Sequence, residues 1–303
     1  TNTKKIQKDY IFYVISFVII VLRSAHRRAL SNEQLWDIQF KRVFLLANIP
    51  KKDKYAITQE ALNNENERFH DMIQGNFEEA YRNLTYKHIM GLKWATENCR
   101  HVEFIIKMDD DIIVDIYGIL HVIDQNVQPK ELLMGYVLKD MTPKREPANK
   151  WFVKHEEFAS TTYPTFLSGW LYITNPHTAK LLVAESENIP YFWIDDVYVT
   201  GILADSLNIK HTSINKYYTV HPEYIECCIN DWKKYQFKCD FLICTNGNDF
   251  NLFVKFATLA LNCNKLYKCL DRPFDKKLEN TCVAHRRINP PDRGESIIQS
   301  IKL

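Results

Sequence analysis

Three consecutive aspartates interrupt an apolar stretch, Phe104-Ile105-Ile106-Lys107-Met108-Asp109-Asp110-Asp111-Ile112-Ile113-Val114. Adjacent carboxylates repel one another, so a fold keeps them together where something cationic compensates. Hard divalent cations such as Mn²⁺ or Mg²⁺ take oxygen ligands and often combine one or two carboxylates with substrate phosphates. An acidic loop that ends a strand at the carboxyl edge of an α/β sheet suits a nucleotide–metal site. The plain alternative is a solvated acidic turn, which the apolar runs on both sides disfavour. A second acidic pair, Asp195-Asp196, follows the aromatic cluster Tyr191-Phe192-Trp193 at a predicted helix start. One acid can cap that helix, and both suit its positive end. Aromatic rings beside a carboxylate can also hold a sugar ring against a catalytic acid or base. The helix terminus predicts a carboxylate ionised near neutral pH, as a general base must be.

The elements that position these acids must come from an ordinary globular chain. It has 303 residues, 46% hydrophobic and 25% charged, enough for one large domain or two small ones. A formal net charge of +2 gives no bulk electrostatic case for nucleic acid. With only 8 glycines and no Gly-rich phosphate loop, bound phosphates would be held through a metal and basic side chains. Of 8 cysteines, all but Cys99 crowd the C-terminal quarter: Cys227, Cys228, Cys239, Cys244, Cys263, Cys269 and Cys282. No Cys-x-x-Cys pair suggests zinc; an even, clustered set fits disulfides in a secretory-pathway protein, with reduced buried thiols as the alternative. Asn83-Leu84-Thr85 is a glycosylation sequon, usable in a lumenal chain.

Along the chain, strands alternate with helices, which predicts an α/β domain. Residues 1–9 are polar and basic and read as the remnant of a stem. The apolar run 10–22 is rich in Val, Ile, Phe and Tyr and reads as a buried strand. A truncated membrane anchor is the alternative, although the run is shorter than the roughly 20 residues a spanning helix needs. Helices are predicted over 25–40, with Arg27 and Arg28 in its first turns, and over 54–68, 77–99, 115–126, 176–186 and 196–207. Strands are predicted over 42–48, 71–74, 101–108, 131–138, 151–153 and 166–174. In the 77–99 segment an apolar stripe recurs at helical spacing. His88 lies on that stripe and reads as a core histidine rather than a ligand; Asn83 lies off it. After about 230 the pattern becomes a Cys-, Asn- and Lys-rich extension tied by disulfides.

Together these pieces resemble glycosyltransferase family 31, the inverting β-1,3-galactosyl- and N-acetylglucosaminyltransferases of the Golgi, over about residues 19–222. Ile19-Ile20-Val21-Leu22-Arg23-Ser24-Ala25, with Arg27, Arg28, Ala29 and Trp36, is similar to the family's opening strand and Arg-Arg-x-Ala…Trp helix. The segment from Asn76-Phe77 through Tyr81 to Asn83-Leu84-Thr85-Tyr86-Lys87 resembles its Asp-Phe-x-Asp-x-Tyr-x-Asn-Leu-Thr-x-Lys motif. Lys107 and the three acids match its Asp-x-Asp motif. Lys150-Trp151, Tyr163-Pro164 and Ser168-Gly169 match a donor-side loop, and Asp195-Asp196-Val197 matches its Glu/Asp-Asp-Val motif. Asn76 stands where the family usually has Asp, and Trp170-Leu171-Tyr172 replaces the usual Gly-Tyr after Ser-Gly. The tail after Asn230 matches nothing in the family pattern.

The resemblance implies a GT-A-type, Rossmann-like single α/β domain at 10–230 with a mixed, mostly parallel central sheet, followed by the Cys-rich extension at 231–303. It implies transfer of galactose or an N-acetylhexosamine from a UDP-sugar, with Mn²⁺ or another divalent cation, to an acceptor glycan on a glycoprotein or glycolipid. It further implies a type II Golgi membrane protein with a lumenal catalytic domain and an N-terminal anchor. Asp196 is the implied general base. Asp111 is the implied direct metal ligand, with His221 in Thr219-Val220-His221-Pro222 as a further ligand and His211 as second candidate. Asp109 would meet the ribose or a metal-bound water, and Asp110 and Asp195 complete the acidic motifs. Arg27, Arg28, Lys107 and Lys150 are candidate donor or diphosphate contacts, each with a plain reading as a solvated or ion-paired cation. Trp151, Gly169 and Trp170 line the donor side.

Two other classes compete. A phosphoryl or nucleotidyl transferase also uses clustered acids, but usually with a Gly-rich loop or further acid pairs. A non-catalytic member that binds glycans or a partner would not need both acidic motifs intact.

Overall fold

The computed structural model describes residues 9–15 (backbone only), 20–50, 57–99, 101–126 and 130–284. Its centre is a seven-stranded sheet in the order β3-β2-β1-β4-β7-β6-β8. The strands are β1 Asp9–Ile15, β2 Phe40–Asn48, β3 Met72–Glu78, β4 Val102–Asp109, β6 Leu133–Leu138, β7 Phe166–Thr174 and β8 His211–Ser213. β3, β2, β1 and β4 run parallel; β7 is antiparallel to β4 and to β6, and β6 is parallel to β8. The expected mixed, mostly parallel α/β sheet is therefore present. A second, three-stranded sheet joins β5 Ile112–Val114, β10 Ile243–Thr245 and β9 Tyr218–Thr219 in the order β5-β10-β9.

The period-two alternation of strand side chains divides the apolar residues between two faces. Phe44, Ile106 and Leu171 join one buried cluster, whereas their neighbours Leu45, Ile105 and Tyr172 join the other. Helices cover both faces: α1 Ile20–Ala29, α2 Asn32–Asp37, α3 Gln59–Phe69, α4 Leu84–Asn98, α5 Ile116–Gln125 and α6 Pro176–Glu185. A π-helical segment, Val197–Leu203, continues as α7 Ala204–Ser206. α8 Pro222–Tyr235, α9 Phe250–Ala260 and α10 Leu278–Thr281 follow. Among the described residues no helix is long and apolar enough to cross a membrane.

Several boundaries differ from the sequence expectation. The strand expected over 10–22 ends at Ile15, and the segment taken as an opening strand at 19–25 is, from Ile20, the helix α1. β1 extends only as far as its partners β2 and β4 pair with it. Beyond that, Leu22, Ala25 and His26 turn inward at helical spacing. Arg27 and Arg28 consequently fall in the last turn of α1, not in first turns. The single helix expected over 25–40 is split by Ser31, whose hydroxyl and Gln34 form a capping box that starts α2. The helix expected from 77 begins at Leu84, because 77–78 complete β3 and 81–83 form a 3₁₀ turn. The strand expected over 151–153 is a single bridge, Lys144 to Phe152. Residues 1–8, 16–19 and 51–56, on which parts of the stem, apolar-run and 54–68 expectations fall, lie outside the described residues.

The C-terminal segment packs back onto the sheet system. Leu252, Phe253 and Phe256 of α9 share a buried cluster with Leu22 and Ala25 of α1, Ile113 of β5 and Ile225 of α8. Disulfides link Cys227–Cys282, Cys228–Cys239 and Cys263–Cys269, while Cys99 and Cys244 take no part in them.

Candidate active site

β4 delivers the first acidic motif. Lys107 and Asp109 are two residues apart on one strand, so their side chains leave the same face. Lys107 is 1% exposed. Its Nζ donates to Asp109 Oδ1 at 2.6 Å and to the Gly169 carbonyl at 2.5 Å, and lies 3.9 Å from Asp195 Oδ2. A methyl group on Gly169 would stand 3.2 Å from that nitrogen and 3.6 Å from both Asp109 Oδ2 and Asp196 Cβ. The glycine therefore leaves the room that the ammonium occupies.

The second acidic motif meets the first at this point. The Gly169 N–H donates to Asp196 Oδ2 at 3.2 Å, and the Val197 N–H donates to Asp196 Oδ1 at 2.8 Å. The Thr200 hydroxyl donates to the Asp196 carbonyl at 2.7 Å and accepts from the Leu167 N–H, pinning the turn to β7. Asp195 Oδ2 lies 2.9 Å from His88 Nδ1, whose ring is buried beneath it, and His88 Nε2 lies 2.6 Å from the Tyr172 hydroxyl.

The electrostatics separate the two neighbouring acids. Burial works against ionisation of Asp195, but Lys107 and His88 outweigh it and hold this carboxyl below the usual range. Asp196 is pushed the other way, to about 7, by burial and by the Asp195 charge, which Lys107 only partly offsets. The helix start led us to expect a carboxylate ionised near neutral pH, whereas Asp196 is only partly so there. The N–H groups of Val197 and Gly169 do not compensate for lost water and an adjacent anion. Burial raises Asp109 as well, against the pull of Lys107. Asp111 opens to solvent, yet the surrounding protein and Asp109 raise it to about 6.

Around this centre, Trp151 Nε1 donates to the Tyr81 hydroxyl at 2.8 Å, and Lys150 Nζ sits 4.4 Å from the Tyr81 ring centre. Burial, and after it the charges of Asp196, Asp195 and Asp109, disfavour ionisation of Tyr81. Trp170 packs at the edge of the cluster that contains Phe44 and Ile106, on the sheet face opposite Tyr172. Asp110 turns inward and its carbonyl lies 2.8 Å from Nε2 of His26, a ring that burial keeps neutral with a pKa near 3. The neutral ring donates that bond. Arg27 is engaged by Asp71 and Glu65 at 2.6 Å each and lies over the Phe69 ring, tying α1 to α3. Arg28 is exposed on α1. His211 Nε2 lies 2.6 Å from the Thr200 carbonyl.

The small sheet relates Asp111 to His221. Thr245 of β10 pairs with Ile112 of β5, and Cys244 pairs with Thr219 of β9. Continuing the β10–β5 register by one residue puts Asn246 opposite Asp111, with the Asn246 N–H donating to the Asp111 carbonyl at 2.9 Å, and His221 follows β9 as the residue that starts α8. Among the described residues no three His, Cys, Asp or Glu side chains gather into a set that could hold a metal alone. The donors do fit a hard divalent cation that completes its shell with phosphate oxygens and water, since Asp109 and Asp111 are crowded oxygen ligands whose repulsion a cation would relieve.

The structure thus brings Lys107, Asp109, Gly169, Asp195 and Asp196 into one cluster. It adds His88, Tyr81, Tyr172, Thr200 and Asn246, which the sequence reading did not assign to the site. Tyr81 carried a signal, as a fixed position of the Tyr-x-Asn-Leu-Thr motif. Asn246 carried none, because strand pairing alone brings it to Asp111.

A family model described as Galactosyltransferase matches residues 22–215. The chain is 28% identical over 216 residues to beta-1,3-galactosyltransferase 5 of Pan troglodytes, which covers 68% of this chain and 71% of that protein. It is 33% identical over 193 residues to beta-1,3-galactosyltransferase 2 of Homo sapiens, covering 63% of this chain and 45% of that protein. Among solved structures, a glycosyltransferase involved in the glycosylation of the major capsid of PBCV-1 aligns with 83% of this chain and 99% of its own, at 9% identity and a TM-score of 0.42. The chain therefore belongs to the galactosyltransferase family, glycosyltransferase family 31, whose members are hexosyltransferases.

Proposed function

We propose that this chain transfers galactose or an N-acetylhexosamine from a UDP-sugar to a hydroxyl of an acceptor glycan, with inversion and formation of a β-1,3 linkage. The observation that carries the reading is the junction at Lys107 and Gly169, where the two motifs share one buried cation and one backbone amide. The Asp196 carboxylate takes the proton of the acceptor hydroxyl. The acceptor oxygen forms its bond to the anomeric carbon from the face opposite the diphosphate. The carbon–oxygen bond to the diphosphate breaks, and its electron pair leaves with UDP. One displacement from one face inverts the anomeric centre. A base with a pKa near 7 combines ionisation at working pH with useful basicity.

Lys107 holds Asp109 and Asp195 in place, and Asp109 is poised for the ribose of the donor. Lys150, Trp151 and Tyr81 form the wall facing the donor. Asp111, with His221, would hold a divalent cation such as Mn²⁺, whose chemistry is to neutralise charge on the departing diphosphate. We assign the catalytic domain to 10–230 and the Cys-rich extension to 231–303, with β10 completing the small sheet. The three disulfides support residence in an oxidising lumen, and with the family we place the enzyme at the Golgi membrane, catalytic domain inward. It acts there on glycoproteins or glycolipids.

The test is transfer assayed across a panel of UDP-sugars and glycan acceptors with Mn²⁺. Asp196→Asn is expected to abolish transfer and keep UDP binding. Asp111→Asn is expected to raise the donor KM and the Mn²⁺ requirement. Near-normal transfer by Asp196→Asn would rule out the base assignment.

A further inference from the structure

His88 is a buried imidazole with two directed partners, and the steps above do not use it. Burial favours its neutral form, which has one donor and one acceptor nitrogen. A carboxylate only accepts, so Nδ1–H donates to Asp195 Oδ2 at 2.9 Å, and Nε2 accepts from the Tyr172 hydroxyl at 2.6 Å. Tyr172 is itself fixed, since it pairs with Lys107 across β4 and with Gly135 across β6. The chain of contacts Tyr172–His88–Asp195–Lys107 therefore closes on the strands that carry it. We infer that His88 is a positioning residue for transfer: it holds the Asp195 carboxylate between its own ring and Lys107, so that the adjacent Asp196 carboxylate stays turned to the Gly169 amide and free to meet the acceptor hydroxyl. Without that donor, Asp195 keeps its backbone hydrogen bond and the more distant Lys107, and the turn that carries both acids loses its side-chain hydrogen bond to α4.

This inference rests on the reading of Asp196 as the base. The experiment compares His88→Leu, His88→Asn and Tyr172→Phe in kcat, donor KM, UDP binding and unfolding midpoint. Asn can place an amide N–H where Nδ1–H stood. His88→Leu is expected to lower kcat about tenfold or more, with donor KM and UDP affinity within about threefold of wild type. His88→Asn is expected to recover most of that loss, and Tyr172→Phe to lower kcat about threefold. Wild-type kcat in a folded His88→Leu protein overturns the inference, as does an equal loss in the Leu and Asn variants. Should His88→Leu not fold, unchanged kcat in Tyr172→Phe overturns it, and reduced kcat there beside an active His88→Asn supports it. An active Asp196→Asn removes the underlying reading, whereas an inert Asp196→Asn beside a fully active His88→Leu removes this inference alone.

Discussion

Replacing Asp196, the base we propose, should make this protein more stable at neutral pH while it destroys transfer. Asp196 has its pKa raised from 3.8 to about 7. A raised carboxyl pKa means that the folded chain binds a proton which the unfolded chain releases between those values, so stability falls as pH rises through that window. Linkage puts the cost at about 4 kcal/mol by pH 8 and only about 1 kcal/mol at pH 4.5. Asn has no proton to lose, so Asp196→Asn removes this cost. It introduces a smaller one of about 1 kcal/mol, because its amide N–H₂ must face the Gly169 or the Val197 N–H, both of which are donors. The net expectation is a gain of about 2–3 kcal/mol at pH 8 and no gain at pH 4.5. Urea unfolding of both proteins at the two pH values, disulfides intact, measures it, beside a transfer assay. A variant less stable than wild type at pH 8, or one with the same increment at both pH values, would refute the reasoning, since desolvation and the Asp195 charge would then not fall on Asp196.

Lys107→Met should be costly, because it leaves the largely buried Asp195 and the part-exposed Asp109 without their cation; a loss of about 3 kcal/mol is expected at pH 7.5. That loss should shrink toward pH 4.5 as the carboxyls protonate, and chemical denaturation at the two pH values checks it. Gly169→Ala places a methyl group 3.2 Å from the Lys107 ammonium. Transfer should fall about tenfold or more while the unfolding midpoint moves by only about 1–2 kcal/mol. Cys227→Ser opens a loop with a sequence separation of 55. Chain entropy predicts a loss of about 4 kcal/mol at most, read as a lower unfolding midpoint that reductant no longer changes at this bridge.

How much of this could be read from the chain follows from what each signal depends on. The acidic strand end, its sheet and the disulfide-rich tail were legible because they are local: an apolar run stopping at Asp109, alternating elements, and clustered cysteines. Helix starts at Ser31 and Leu84 were missed because a cap and a 3₁₀ turn interrupt one long amphipathic pattern. The periodicity of α4 put His88 in the core, correctly by burial, but periodicity records a face and not a partner. That Asp195 and Tyr172 converge on the two ring nitrogens is a matter of tertiary placement. Arg27 illustrates the converse. Its charge and position suggested a phosphate, yet its guanidinium is engaged by Asp71 and Glu65.

The same distinction explains why the site is built at strand ends. A cluster of three carboxyls, Asp109, Asp195 and Asp196, with Asp111 at its solvent edge, is unfavourable in any flexible arrangement, since each acid could relax outward to water. β4 and β7 hold Lys107 and Gly169 opposite the π-helical turn, so burial and, after it, the neighbouring charges appear as raised proton affinity at Asp109, Asp111 and Asp196. Lys107 and His88 hold the remaining member, Asp195, ionised. The asymmetry between two neighbours in sequence thus comes from which one the buried donors reach. It leaves Asp196 with a proton affinity near neutrality, as the general base we propose requires.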